Sequence, residues 1–185
     1  EEDLMITITN SFGCSITELI IAPECDCPSI VLPTSNGDFN ICEGEELPTL
    51  SVNTSSENIT INWYDAPNGG NLLVEDSNEF DPEDGGIYYA EAISTISGCV
   101  SDTRVAVMLT INPLPQIMVS DLTFIDCNNS TGSITVAGSE GAAPYEFALE
   151  AEDFQNNNRF DGLEVGMYTI SIRDANACRN QTSTN

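Results

Sequence analysis

Short runs of alternating apolar and polar residues cover most of the chain, and turn-forming residues separate them. A period of two residues is typical of half-buried β-strands, and the Asn-Gly, Gly-Gly and Asp-Pro pairs between the runs favour turns. No amphipathic helical pattern of useful length interrupts the runs. The pattern predicts an all-β fold of antiparallel β-sandwich modules in tandem. Strands are predicted at residues 5–9, 19–22, 29–32, 50–52, 59–64, 71–74, 87–93, 104–111, 117–119, 132–137, 145–149 and 167–173.

One of these runs occurs twice, 164 positions apart. Residues 5–14 and residues 169–178 each contain an alternating run, then Asn or Asp, two further residues, a small residue and a cysteine. Self-similarity at a fixed spacing is typical of repeat arrays. We therefore expect the chain to be a segment of a longer repetitive protein, entered near the end of one module.

Proline-rich boundaries divide the chain into three segments. Residues 1–27 are expected to hold the C-terminal strands of a preceding repeat plus a linker, residues 28–115 one β-sandwich, and residues 116–185 another. The prolines of residues 112–115 predict a stiff connector between the last two segments. The third segment either lacks a well-formed last strand or uses its polar tail, residues 180–185, as that strand.

The charge of the chain excludes several classes of function. Thirty acidic residues against four arginines give a net charge of −26, and lysine and histidine do not occur. A nucleic-acid partner is excluded because phosphate binding needs a cationic surface, and an anionic membrane surface is disfavoured for the same reason. Imidazole-based catalytic sites, imidazole metal ligands and Schiff-base lysines are impossible. We expect no catalytic residue and no enzyme.

Cysteine usage and hydropathy predict an exported protein. Seven cysteines without a metal-binding spacing are typical of an oxidising compartment. No stretch approaches the ~20 apolar residues of a membrane-spanning helix, so direct membrane insertion is not expected.

The middle segment carries a recognisable set of motifs. It reads WYDAPNGG at residues 63–70, GIYYAEA at residues 86–92 and GCVSDTR at residues 98–104. These strings resemble the immunoglobulin-like domains of large secreted and surface proteins of Bacteroidetes bacteria, over about residues 38–112. The resemblance implies that the sandwiches are immunoglobulin-like.

The third segment resembles the repeat named after the SprB gliding-motility adhesin. The resemblance rests on CNNSTGSITV at residues 127–136, APY at 143–145, GMYT at 166–169 and DANAC at 174–178, where Ala177 stands at a position more often occupied by glycine. It implies export by the type IX system, display on the outer surface, and a role in adhesion or gliding. The implied partners are neighbouring modules, outer-surface or secretion machinery, and a polysaccharide or surface ligand.

Four cysteines bracket the two sandwiches. Cys42 and Cys99 enclose nearly all of the middle segment, and Cys127 and Cys178 enclose the third, so we predict these two disulfides; buried free thiols are the alternative. Closing loops of such length stabilises a domain by about 4 kcal/mol. By analogy with Cys178, Cys14 is expected to pair with a cysteine in the missing part of its module; a bond to Cys25 is the alternative, and one of the seven cysteines must be free or paired outside the chain. The pairing of the two cysteines at residues 25 and 27 also stays open.

Three aromatic residues are predicted to be structural. Asp84, Gly86 and Tyr88 form the Asp-x-Gly-x-Tyr pattern of a tyrosine corner, in which the phenol bonds to backbone at the corner of a sandwich. The position two residues after the tyrosine, a cysteine in antibody domains, is Ala90 here, so Trp63 is expected to pack without a core disulfide. Tyr168 is expected to have a structural role in the third segment.

No cofactor is expected, although the acidic residues make a calcium site possible. Residues 75–84 hold six acidic side chains in ten positions, and calcium takes six to eight oxygen ligands. The candidate ligands are Asp76, Glu79, Asp81 and Asp84. No EF-hand spacing is present, and solvated acidic loops have the same composition.

Together these features predict a non-enzymatic stalk or presentation segment of a large secreted adhesin. Two alternatives belong to other classes: carbohydrate-binding accessory modules of a secreted polysaccharide-degrading enzyme, and a subunit of an assembled surface fibre. The incomplete module at residues 1–27 motivates the fibre.

Overall fold

The computed structural model describes residues 4–20, 27–125, 130–150 and 152–184, and all regular secondary structure in them is β-strand. The strands are β1 (Leu4–Thr9), β2 (Ser15–Ile20), β3 (Thr34–Ser35), β4 (Phe39–Cys42), β5 (Leu50–Asn53), β6 (Ile59–Tyr64), β7 (Leu72–Val74), β8 (Glu79–Phe80), β9 (Gly86–Ser94), β10 (Val105–Asn112), β11 (Gln116–Thr123), β12 (Gly132–Ser139), β13 (Glu146–Leu149), β14 (Arg159–Leu163), β15 (Tyr168–Arg173) and β16 (Arg179–Thr184).

Strands β3 to β10 form the first sandwich. One sheet has the order β4-β10-β9-β6-β7 and the other has the order β3-β5-β8. All pairs are antiparallel except β4 with β10, which run parallel. Alternate side chains of the strands point inward, as the period-two pattern requires. The buried core consists of Leu50, Val52, Ile61, Trp63, Phe80, Ala90, Ala92, Val107 and Leu109.

Strands β11 to β16 form the second sandwich. One sheet has the order β11-β12-β14 and the other has the order β13-β15-β16, with every pair antiparallel. The core between them consists of Ile134, Val136, Phe147, Leu149, Phe160, Leu163, Ile170 and Ile172. Only residues 113–115 separate β10 from β11, and Pro115 is fully buried.

Strands β1 and β2 form a hairpin, called here the first hairpin. It is a separate two-stranded sheet that pairs with no other described strand. A two-stranded sheet alone is marginally stable in water.

The predicted all-β fold of antiparallel β-sandwiches is confirmed, with local differences. The strand predicted at residues 29–32 is wrong: Pro28 and Pro33 bracket it, and proline cannot donate to a ladder. Strands β3, β4, β8 and β14 were not predicted. Strand β14 contains Asp161-Gly162, which reads as a turn but lies at a β-bulge with Gly162 at φ +76°. The polar tail does form the last strand, β16.

Candidate functional site

A disulfide joins the two sandwiches, and its surroundings are called here the junction. Cys42 is the last residue of β4 in the first sandwich, and Cys178 directly precedes β16 in the second. Their sulfurs are 1.97 Å apart and their Cα atoms 5.5 Å apart. Cys178 is fully buried. The bond closes a loop of 136 residues and makes the two sandwiches one covalent unit.

The turn that presents Cys178 is organised by the carboxylate of Asp174. This side chain is 5% exposed and accepts three backbone hydrogen bonds of 2.9 Å: Oδ1 accepts from the N–H groups of Asn176 and Cys178, and Oδ2 accepts from Ala142. A carboxylate that accepts several amide bonds locks a turn tightly, since these bonds are charge-assisted. Asp174 therefore fixes Cys178 for bonding across the junction.

Polar contacts reinforce the disulfide on the side of the proline connector. The side-chain amide of Asn176 donates to Oδ1 of Asn112 at 2.9 Å, and that of Asn180 donates to the carbonyl of Pro115 at 3.0 Å. Gly141 lies so close to Pro115 that an added Cβ would sit 3.2 Å from the proline nitrogen. The short connector, the disulfide and these contacts together restrict bending between the sandwiches.

A second disulfide lies at the other end of the first sandwich. Cys27 bonds to Cys99 with an S–S distance of 2.09 Å, closing a loop of 72 residues. Cys99 follows β9 and precedes β10, and its carbonyl accepts from the N–H of Ser94 at 2.8 Å. This bond anchors the start of the first sandwich to the loop between β9 and β10.

The predicted Cys42–Cys99 pair is wrong, and strand geometry explains the error. Cys42 pairs with Asn112 at the end of β10, whereas Cys99 lies before the start of that strand. The eight residues of β10 separate the two cysteines by about 25 Å, and disulfide-bonded Cα atoms lie within about 7 Å. The predicted Cys127–Cys178 pair is also wrong, because Cys178 bonds to Cys42; Cys127 and Cys25 lie outside the described residues.

The structure places the predicted aromatic residues in the frame of the sandwiches. The phenol of Tyr88 donates to the carbonyl of Asp84 at 2.8 Å, and that of Tyr168 donates to Glu164 at 3.1 Å, so both sandwiches have a tyrosine corner. Burial raises the pKa of the Tyr88 phenol above its usual value, and the nearby Asp84 carboxylate adds to the shift. Trp63 is fully buried and stacks on Phe80, with ring centroids 5.6 Å apart.

Arg104 organises the loop at residues 63–70, a role that the sequence did not reveal. Its guanidinium lies 3.4 Å above the centroid of the Tyr64 ring and pairs with Glu91 at 3.0 Å. It also donates to the carbonyls of Ala66 and Gly69, at 2.7 and 2.6 Å. The WYDAPNGG motif is thus a loop that folds around one buried guanidinium group. The only sequence signal for this role was a single arginine at the start of the strand predicted at residues 104–111.

Asp65 and Gly70 complete the same loop. The backbone and side-chain amides of Asn71 both donate to the Asp65 carboxylate at 2.7 Å, and these bonds lower its pKa. A Cβ added at Gly70 would sit 2.7 Å from the Cβ of Ala66, and φ there is +75°. Only glycine meets both constraints.

The structure does not bring the four candidate calcium ligands together. Asp76 accepts from the hydroxyl of Thr60 at 3.1 Å, and Asp81 accepts from that of Thr49 at 2.6 Å. Asp84 and Glu79 instead offer backbone carbonyls to Tyr88 and Ser77. Throughout the described residues, no three acidic, histidine or cysteine side chains are arranged to hold a metal ion. Calcium remains a prediction without geometric support.

An open apolar groove of about 500 Å³ lies at the end of the second sandwich away from the junction. The strand order places it there, because β11 starts at the junction and ends at the groove. Its lining includes Leu122, Phe124, Ile134, Leu163, Val165 and Tyr168. No sequence motif predicted this groove.

The two disulfides indicate an extracellular or cell-surface location, since reducing compartments do not maintain such bonds. No helix suited to crossing a bilayer occurs in the part of the chain that the structure describes. The comparison with curated proteins gives no match.

A solved structure shares the fold at low sequence identity. The eight N-terminal Ig domains of Down Syndrome Cell Adhesion Molecule match all of this chain with a TM-score of 0.54 and 14% identity. This chain spans 35% of the length of that eight-domain structure. The fibronectin(III)-like modules of Clostridium thermocellum CbhA match 82% of this chain and 91% of theirs, with a TM-score of 0.43 and 14% identity. Within the first sandwich, residues 28–113 match the family described as Ig-like domain CHU_C associated.

Proposed function

We propose that this chain is a non-enzymatic stalk segment of a large secreted adhesin that serves surface adhesion or gliding. In this function the two sandwiches carry load and present neighbouring modules of the same protein away from the outer surface. Export by the type IX system and contact with outer-surface or secretion machinery belong to the proposal. The observation that carries it is the Cys42–Cys178 disulfide between the sandwiches.

The order of the two disulfides along the chain limits how far tension can extend it. The loops interleave, because Cys42 lies inside the loop closed by Cys27 and Cys99. A pulling force that enters at Cys27 follows the backbone to Cys42 and then crosses directly to Cys178. Even with both sandwiches unfolded, this covalent path contains only about 15 residues, or about 50 Å at full extension.

The surface chemistry also suits a spacer. A net charge of −26 keeps modules soluble and mutually repulsive in an extended array. The single tryptophan, Trp63, is fully buried and thus unavailable to stack on a sugar. This burial supports a presenting role over carbohydrate recognition by the first sandwich.

Single-molecule force spectroscopy tests the load-bearing role. The chain is pulled from its two ends, with Cys14→Ser in every variant to prevent thiol exchange. The double variant Cys42→Ser/Cys178→Ser should extend further than the parent by the difference between the loops of 136 and 72 residues, about 64 residues or ~220 Å. Full reduction should release the 136 residues of the larger loop, ~460 Å.

The matched control is Cys27→Ser/Cys99→Ser. This variant should extend no further than the parent, because the path through Cys42 and Cys178 is already the shorter one. If the parent extends under oxidising conditions as far as the reduced chain, the stalk function is wrong.

A glycan array with calcium, and again with a chelator, tests the accessory-module alternative. The stalk function predicts no binding in either condition. Calcium-dependent binding to a defined sugar would contradict it and would make residues 75–84 the first segment to mutate.

A further inference from the structure

The first hairpin and the hairpin formed by β15 and β16, called here the second hairpin, share one backbone structure. Their strand bounds differ by the same 164 positions at all four ends. Their registers also agree: Leu4 pairs with Ile20 and Thr9 with Ser15, as Tyr168 pairs with Thr184 and Arg173 with Arg179.

The two turns have the same hydrogen bonds. Oδ1 of Asn10 accepts from the N–H groups of Phe12 at 2.9 Å and Cys14 at 3.1 Å, as Oδ1 of Asp174 does from Asn176 and Cys178. The backbone bonds that close the two loops also agree, from Asn10 N–H to the Cys14 carbonyl and from Asp174 N–H to the Cys178 carbonyl. The hairpins are thus two copies of one element.

Within the described residues, only the second hairpin has other strands packed on its inner face. Ile170 and Ile172 are fully buried, whereas Ile6 and Ile8 at the same positions are 39% and 66% exposed. Cys178 is bonded to Cys42, whereas Cys14 is exposed and free among the described residues.

The cover of the second hairpin has two parts. Strand β13 pairs along the free edge of β15, with Phe147 opposite Ile172 and Leu149 opposite Ile170. The sheet β11-β12-β14 packs on its inner face with Ile134, Val136 and Phe160. The first hairpin offers the same edge, on β1, and an inner face with Ile6, Ile8 and Ile16; Glu18 shares that face at the position of the half-buried Thr182.

We propose that the inner face and β1 edge of the first hairpin are an interaction surface for a four-strand partner of the β11–β14 type. That partner has an aliphatic and aromatic inner face and a β13-type strand that pairs with β1. A sandwich that precedes the four strands, as the first sandwich precedes β11, supplies a β4-type strand that ends in a cysteine. Cys14 bonds to that cysteine, as Cys178 bonds to Cys42. The first hairpin thereby forms a junction of the kind that links the two sandwiches.

A second copy of this chain does not provide that partner. Its β13 edge is already paired with its own β15, and its Cys42 is already bonded to its own Cys178. Docking of the first hairpin there would require removal of the second hairpin from its core. The partner is therefore a module of the same type whose own last hairpin is the first hairpin.

The chain itself provides the material for a direct test. Residues 27–167, which include both cysteines of the Cys27–Cys99 bond, are placed before residue 4, so that β1 follows a copy of the segment that normally precedes β15. The single chain of residues 1–185 is the comparison. In the tandem chain, hydrogen exchange of the β1 amides should slow at least about 100-fold, because a packed strand opens far less often than an isolated hairpin.

Disulfide mapping gives a second readout on the same tandem chain. Peptides from the non-reduced protein should contain Cys14 joined to the Cys42 of the added copy, and a maleimide that labels Cys14 in the single chain should no longer react. The inner-face variant Ile8→Asp should abolish the slower exchange. The outer-face variant Thr17→Asp, at the position of the exposed Gln181, should leave it unchanged.

Two outcomes would overturn the proposal. One is equal exchange of β1 in the tandem and single chains, with Cys14 still labelled. The other is concentration-dependent protection of β1 in the single chain together with a dimer in sedimentation, since a second copy would then be the partner. The stalk function is tested separately, because the force measurement depends on the junction and not on the first hairpin.

Discussion

The two hairpins of this chain differ in surroundings and not in local structure. Both have six-residue strands in one register and an Asn or Asp side chain that closes the turn. The second hairpin is the covered edge of a sandwich, and the first hairpin is exposed from residue 5 to residue 19. The comparison shows that about 17 residues encode the strand pairing and the turn, whereas burial and the disulfide depend on strands far away in sequence.

The comparison also separates two sources of stability. Local hydrogen bonds contribute little net free energy, because the unfolded chain makes the same bonds with water. Burial of apolar side chains and loop closure supply most of it. Equivalent substitutions in the two hairpins should therefore have unequal effects, and the size of each difference measures the contribution of the surroundings.

Loss of the junction disulfide should produce the largest difference. Cys42→Ser/Cys178→Ser should lower the free energy of unfolding of the second sandwich by about 4 kcal/mol, because the unfolded chain regains the entropy of a long open loop. Cys14→Ser in the first hairpin should change it by less than about 0.5 kcal/mol. Urea titration followed by circular dichroism measures both. A Cys14→Ser effect as large as that of the double variant would mean that Cys14 is bonded in this chain.

Truncation of the inner face comes next. Ile172→Ala should cost about 3 kcal/mol, since it removes a fully buried side chain and leaves a cavity beside Phe147. The equivalent change Ile8→Ala should cost less than about 0.5 kcal/mol because Ile8 is 66% exposed. The same urea titration compares them. Equal costs would show that the first hairpin is covered in solution.

Removal of the turn carboxylate should have a smaller effect. Asp174→Ala leaves three backbone N–H groups without their acceptor in a buried site and should cost about 2 kcal/mol. Asn10→Ala should leave the unfolding of both sandwiches unchanged, because water replaces the lost acceptor at an exposed turn. Asp174→Asn is the informative control: it retains Oδ1 but presents an amide where Ala142 needs an acceptor, so an intermediate loss is expected.

The sequence predicted the repeated turn because that turn depends on neighbouring residues. The alternation of apolar and polar residues likewise predicted β6, β9 and β10. The first two of these strands contribute Ile61, Trp63 and Ala90 to the core of the first sandwich. The sequence also predicted the tyrosine corner, because the donor Tyr88 and the acceptor Asp84 are only four residues apart.

The junction was not predictable, because it depends on contacts between distant strands. Because cysteines lie near both ends of each segment, the sequence suggested one disulfide within each sandwich. The parallel pairing of β4 with β10 instead places Cys42 at the end next to the second sandwich. That pairing joins residues about 70 positions apart and leaves no periodic signal. The bond of Cys178 across the junction depends on the same placement.

The smallest expected difference lies in the turn residue before each cysteine. Gly13 and Ala177 both have positive φ, +80° and +66°, a region where a Cβ costs about 1 to 2 kcal/mol. Ala177→Gly should therefore stabilise the second sandwich by about 1 kcal/mol, less the entropy that glycine adds to the unfolded chain. Gly13→Ala should raise hydrogen exchange in the first hairpin alone, without changing the unfolding of either sandwich. Urea titration and hydrogen exchange measure the two effects. A destabilising Ala177→Gly would mean that the alanine methyl group packs favourably at the junction and outweighs the backbone strain.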